Sequence, residues 1–311
     1  MSQFFEAMID IFTSESTYIN GALFAAFLAF AASGELVAER AGTINISIEG
    51  MLLGAAFTSA VGYDVTQSMI AALFAGVLGG LSVAAVQAQM SHRLSANQFV
   101  VGLTLNILVL GLVGFLDNEL EPVTELAARW EIPLLSDLPL IGQALFGQRW
   151  PFYLLYVLVP VTGWLLYRTR WGLELRSVGE NPQSADVSGI DVNGRRRQAI
   201  YYAGFTSGLG GWFLIFGQVG LFEDSVVGGR GFIAIAAVIF GGWTLRGTMA
   251  GCVIFAGALS FRLSIQGLGY DVNSQLLQSL PFIVTLAGMA VFAHRVRPPA
   301  ALAQPFVRGL R

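Results

Sequence analysis

Eight polar side chains interrupt stretches of this chain that are otherwise apolar: Asn45, Glu49, Gln87, Gln89, Asn97, Asn106, Gln218 and Gln278. At membrane depth such groups have no bulk water to bond, so they turn toward neighbouring helices or line a water-filled path. An interhelical hydrogen bond accounts for any one of them. As a set they describe a polar, nearly uncharged interior, which suits a neutral or zwitterionic hydrogen-bonding substrate better than a metal ion or a proton. Asn45, Glu49, Asn97 and Asn106 are the candidates for lining that path. A second group, Gly228, Gly229, Arg230 and Gly231 in VVGGRGF, sets a cation among glycines and reads as a gate or structural turn.

Covalent chemistry finds little to work with. No Asp, Glu, Cys or His cluster stands at ligand spacing, and no Ser/His/Asp arrangement is recognisable, so no catalytic residue, metal site or cofactor is assigned to this chain. All seventeen basic residues are arginine. A Walker A loop needs a lysine to reach the β/γ-phosphates, so a standard P-loop ATPase is excluded, as is Schiff-base lysine chemistry. The single cysteine, Cys252, forms no intrachain disulfide and no thiolate cluster. His92 and His294 lie at span ends among arginines and read as polar boundary residues.

These residues must be held by membrane helices. Of 311 residues, 55% are hydrophobic and 12% charged, about half the charge of an ordinary soluble domain. Runs such as Phe99 to Leu116 and Leu276 to His294 are long enough to cross a hydrocarbon core. The fold class is all-α, a polytopic membrane helix bundle of about 8–10 spans forming one transmembrane domain over residues 1–311. Spans are expected at Tyr18–Ser33, Met51–Val61, Ser68–Met90, Phe99–Leu116, Pro151–Tyr167, Ala199–Phe216, Ile233–Phe240, Met249–Phe261 and Leu276–His294. The second is short unless it begins near Ile44 and takes Asn45, Ser47 and Glu49 into the membrane. The first twenty residues carry Glu6, Asp10 and Glu15 but no arginine, so the first apolar segment reads as a retained span rather than a signal peptide.

Two loops differ in charge. Asp117 to Trp150 is acidic, and Arg168 to Arg197 holds six arginines. Nine alternating spans from an outside N-terminus place thirteen arginines inside and four outside. That bias makes 117–150 extracytoplasmic, 168–197 cytoplasmic and the C-terminus internal. Within the basic loop, Asn181-Pro182 forms an N-cap with proline at the first helical position, and Gly189 supplies the stop. A polar helix of about two turns results, shaped to dock in the cytosol. The segments AERAGTINISIEG and VVGGRGFIAIAAVIFGG occupy similar places in the two halves, as an inverted repeat requires, and re-entrant half-helices around 226–262 would shift the span count.

GELVAERAGTINISIEGM, ANQFVVGLTLNIL, LRSVGENPQSADVSGIDV and GGRGFIAIAAVIFGGW together resemble the permease subunits of bacterial ABC importers. The likeness is to the nucleoside and simple-sugar group, related to ribose and branched-chain amino-acid permeases, and covers about Gly34 to Trp243. It implies alternating-access import of a nucleoside or simple sugar across the bacterial inner membrane. By the same resemblance Glu180, Asn181, Pro182, Ala185, Gly189 and Ile190 form a coupling helix that contacts a separate ABC ATPase, which binds ATP and Mg. A second permease subunit, copy or paralogue, and an extracytoplasmic substrate-binding protein are implied as further partners; no nucleic-acid partner is expected. Branched-chain amino-acid import is one alternative. A stand-alone secondary transporter is the other, for which only Glu49 and Glu35 offer membrane-depth carboxylates.

Overall fold

The computed structural model describes residues 10–267, 279, 283 and 297–307. Among them regular structure is helical, with one isolated β-bridge between Arg129 and Arg149. Helix α1 spans Glu15–Arg40, α2 Ile48–Thr66, α3 Met69–His92 and α4 Gln98–Leu120. The acidic loop carries the short α5, Gly142–Phe146, and a 3-10 turn at Trp150–Tyr153 leads into α6, Leu154–Arg168. Two short helices follow, α7 at Arg170–Glu180 and α8 at Pro182–Val187. Helix α9, Val192–Phe213, continues through a π-helical segment, Leu214–Val219. The described helices end with α10, Arg230–Phe240, and α11, Leu245–Gly267.

Six of these stretches are long and apolar enough to cross a membrane: α1, α3, α4, Trp150–Arg168, Val192–Val219 and α11. Helix α2 has 19 residues, about 28 Å at 1.5 Å per residue, but carries Glu49 and Asp64 and lies inside the bundle. Helix α10 has 11 residues, about half a bilayer. The described residues thus give six candidate spans and two further helices, α2 and α10, packed with them. The expected span Leu276–His294 lies almost wholly outside the described residues.

Three boundaries differ from expectation. Helix α1 runs on past Ser33 to Arg40, because Glu35 and Glu39 turn into the bundle and are buried there rather than ending the helix in water. The second span starts at Ile48, leaving 41–47 as non-helical chain inside the protein. Met249–Phe261 is the middle of a full-length helix whose polar ends include Arg246 and Arg262.

Close backbone approach fixes the centre. A Cβ on Gly80 of α3 would fall 2.9 Å from the Gly208 nitrogen of α9, and one on Gly211 would lie 2.6 Å from both the Leu52 oxygen and the Ala56 nitrogen of α2. Small residues at these crossings let three helices touch along their backbones, which supplies the dispersion energy that holds helices together where hydrophobic burial is weak. Aromatic pairs fill the layer beyond, such as Phe30 with Phe213 at 5.3 Å and Trp150 with Trp212 at 5.0 Å between ring centres. Outward, α3 and α4 expose Ile70, Phe74, Ile107, Leu108 and Phe115, as helices facing hydrocarbon do.

The two halves run in opposite senses. Gly34 lies against Ala203 and Phe30 against Phe213, so α9 runs antiparallel to α1, as does α2. Arg230 at the start of α10 lies over Phe24 and Phe27, whereas Trp243 just past its end reaches Glu39. The first half therefore descends α1 and rises through α2; the second rises through α9 and descends α10. This is the relation an inverted repeat imposes.

Candidate functional site

The non-helical 41–47 segment is where the polar residues converge. Its backbone polar groups are buried and must be satisfied by protein. Helices α1, α3 and α4 supply the partners. Gln98 of α4 accepts the Ile44 N–H at 3.0 Å, and Glu35 of α1 accepts the Asn45 N–H at 3.2 Å. Asn106 of α4 grips both sides of the α2 start, donating to the Ile46 carbonyl and accepting the Gly50 N–H, each at 2.8 Å. Thr43 bonds His92 of α3 at 3.0 Å, and Asn45 accepts from Ser47 at 2.8 Å. The segment is thus a defined turn held by side chains.

Glu49 then joins the halves. It sits in the first turn of α2, and its two oxygens accept the N–H groups of Gly229 and Gly231, both at 2.7 Å. These are unsatisfied donors at the N-terminus of α10, which favours a negative charge. The glycines permit the approach: Gly228 and Gly229 have φ of +57° and +80°, and a Cβ on Gly231 would meet the Glu49 Cα and backbone nitrogen at 2.9 Å. Arg230 turns the other way. Its guanidinium lies 5.4 Å and 5.5 Å from the Phe24 and Phe27 ring centres and donates to the Val226 carbonyl at 3.1 Å. Arg230 is half-buried in the bundle, its charge set against aromatic faces.

The structure brings Asn45, Glu49 and Asn106 together with Gly229 and Gly231, and separates Asn97 from them. Asn97 is exposed and caps α4, accepting the Phe99 and Val100 N–H groups at 2.9 Å and 3.2 Å. Its neighbour Gln98 is the one that turns inward. A helix cap and an inward side chain stand next to each other in sequence, and only the helix phase tells them apart. His92 closes α3 at the span end, as the sequence leads one to expect, but its ring is 4% exposed and bonded to Thr43 rather than facing the interface; His294 and Gln278 lie outside the described residues. Gln87 and Gln89 make interhelical bonds, to the Gln98 carbonyl at 3.3 Å and the Tyr201 hydroxyl at 3.4 Å. Glu35 and Glu39, absent from the candidate path, are the further acids in this region; Glu39 accepts the Trp243 indole N–H.

The second feature is at the end of the bundle. Asn181 accepts the Ser184 N–H at 2.9 Å, capping α8 with Pro182 at its first position. At the other end the Ile190 N–H reaches the Ala185 carbonyl at 3.0 Å and the Gly189 N–H reaches Asp186 at 2.9 Å, with Gly189 at φ +83°. This is a Schellman stop, as the Asn-Pro and Gly spacing leads one to expect. Pro182 and Ala185 face the body of the protein, whereas Glu180, Asn181 and Gly189 are exposed. Val187, which sequence reasoning did not single out, is 89% exposed at the tip. Behind α8, Glu174 bonds Arg170 at 2.8 Å and pairs with Arg195, tying α7 to α9. Arg170 and Arg195 hold its carboxyl below the usual carboxylate range.

Comparison with known proteins agrees with this geometry. The nucleoside ABC transporter permease NupC of Lactococcus lactis is 32% identical, over 91% of this chain and 93% of that protein. The guanosine ABC transporter permease NupQ of Bacillus subtilis is also 32% identical, over 93% and 95%. Among solved structures, a metal-chelate-type ABC transporter in an inward-facing conformation matches with a TM-score of 0.51 at 17% identity, over 91% of this chain and 87% of that one, a likeness of fold. Residues 17–286 match the model described as branched-chain amino acid transport system / permease component, and the chain belongs to that family of ABC transporter permeases.

Proposed function

We propose that this chain forms the translocation path of an ATP-driven importer in the bacterial inner membrane and that its substrate is a nucleoside or a closely related sugar. The relatives named for nucleoside and guanosine transport, each 32% identical over more than nine-tenths of the chain, carry the substrate class. The junction supports it. Its polar side chains Asn45, Ser47, Gln98 and Asn106 are uncharged and are spent on the 41–50 backbone and on one another, so these four supply no cation or anion to pair with a charged substrate, which suits a neutral one. A branched-chain amino acid would bring a full carboxylate and ammonium.

The drive comes from another polypeptide. Helix α8, capped at both ends and presenting Val187, docks to an ABC ATPase that binds ATP and Mg; a second permease subunit completes the path, and an extracytoplasmic binding protein delivers substrate. The arginine-rich end of the bundle is cytoplasmic, with the N-terminus outside and the C-terminus inside. Rocking of one half against the other then opens the path alternately to each face, and Glu49 is the latch between the halves. Reconstitution with the ATPase and binding protein tests the drive. Val187→Asp is expected to fold as wild type, Gly189→Trp to strain only the exposed stop of α8, and both to lose substrate-stimulated hydrolysis. Full stimulation in both would show that α8 is not the coupling element.

A further inference from the structure

The C-terminal segment 297–307 lies across the arginine-rich end and is stitched to three separate parts of it. Its Ala301 N–H donates to the Gly179 carbonyl at 2.9 Å, at the end of α7, and its Ala303 N–H donates to the Gly42 carbonyl at 3.1 Å, in the turn after α1. Asn193 of α9 donates to the Phe306 carbonyl at 3.3 Å. The Phe306 ring packs on Val178, Ala185 and Val192, so it backs the inner face of α8.

One side chain organises these contacts. Arg196 of α9 is 0% exposed and has no carboxylate partner among the described residues. Its guanidinium donates instead to three carbonyls, Ala41 at 3.2 Å, Gln304 at 2.6 Å and Ala301 at 3.3 Å. Burying a guanidinium without a counter-ion is costly. The planar fork nonetheless bridges two chain segments at once, which a lysine or an apolar residue does not.

We propose that segment 297–307 is part of the coupling element, a strap positioned by Arg196 that fixes α8 to the 41–43 turn. Movement of α8 is thereby passed to the chain that leads through Asn45 to Glu49. A strap of this kind transmits displacement because Ala301 and Ala303 are bonded to the backbone of two separate segments, Asn193 holds Phe306, and the buried Arg196 locks the Ala301 and Gln304 carbonyls. The inference rests on α8 being the ATPase contact. Phe306 and Arg196 are positioning residues: neither needs to touch the ATPase or the substrate.

The test uses the full importer in nanodiscs, with its ATPase, its binding protein and guanosine as probe. The reading is the ratio of substrate-stimulated to basal hydrolysis, together with assembly measured by co-purification. Phe306→Ala and a truncation after Pro305 are expected to assemble and to lower the ratio about tenfold. Phe306→Leu is expected to restore it. If both lesions keep the wild-type ratio while Gly189→Trp abolishes it, the strap is overturned and the α8 contact stands. If Gly189→Trp also keeps the ratio, the α8 reading has failed first. If the lesions instead prevent assembly, or lower basal and stimulated hydrolysis in proportion, the segment is a structural seal and the strap is likewise overturned.

Discussion

Replacing Glu49 by alanine removes the acceptor of two N–H groups that sit at 2.7 Å from its oxygens. Each buried donor left unpaired costs about 1–3 kcal/mol, and loss of the charge at the α10 N-terminus adds about 0.3–1 kcal/mol. Water entering a partly open junction recovers part of this, leaving about 3 kcal/mol, or on the order of a hundredfold in an opening equilibrium. Glu49→Gln keeps one carbonyl acceptor but turns an NH2 toward the second donor, so about half that energy is expected, near tenfold. A thiol on α10 itself reports the opening. Cys252, the chain's single cysteine, is replaced by alanine, and Val238→Cys sets a smaller side chain at a 0% exposed position of α10. Release of α10 uncovers that thiol. Labelling at position 238 by a thiol-reactive fluorophore, in the importer assembled with cysteine-free partners, should accelerate in the order wild-type Glu49, Glu49→Gln, Glu49→Ala. An alanine variant that labels within twofold of wild type would refute the latch.

Two further outcomes follow from the packing and the ion pairs. Gly208→Leu forces a side chain into the α3 backbone, where a Cβ would already lie 2.6 Å from the Val77 Cα; overpacking costs about 1–3 kcal/mol or more, so detergent-extracted protein should lose its monodisperse peak in size-exclusion chromatography while Gly208→Ala suffers less. Glu174 titrates lower in the folded protein than in the unfolded chain because Arg170 and then Arg195 favour its carboxylate. A depressed value gives stability that is present above the unfolded value of about 4.3 and is lost as pH falls through the folded value. Thermal melts recorded across that acidic range should therefore fall more steeply in wild type than in Glu174→Gln, and parallel curves would remove the pair from the stability of the arginine-rich end.

The all-helical membrane class, the capped loop helix and the basic end were legible because each leaves a local mark: apolar runs, an Asn-Pro with a Gly seven residues on, an arginine count. The meeting of Glu49 with Gly229 and Gly231 was not, since 180 positions separate the first pair and neither motif carries a sign of its partner. Burial of Glu35 and Glu39 ran against the ordinary expectation that a charged stretch ends a span, and only tertiary partners such as Trp243 and the Asn45 backbone overrule it. Asn97 and Gln98 were confused for a different reason. Both are polar residues at a helix start, and their roles divide by one step of helix phase. Arg196 looked like one more cytoplasmic charge among six, because sequence does not say which of three adjacent arginines turns inward.

The central claim is that ATP hydrolysed by a partner drives a nucleoside through this chain. Uptake of radiolabelled guanosine into proteoliposomes holding the permease, the ATPase and the binding protein, with ATP supplied on the ATPase side, tests it most directly. Accumulation should require ATP and the binding protein, be competed by other nucleosides, and be insensitive to leucine. Accumulation that persists without the ATPase, or uptake of leucine in place of guanosine, would contradict it.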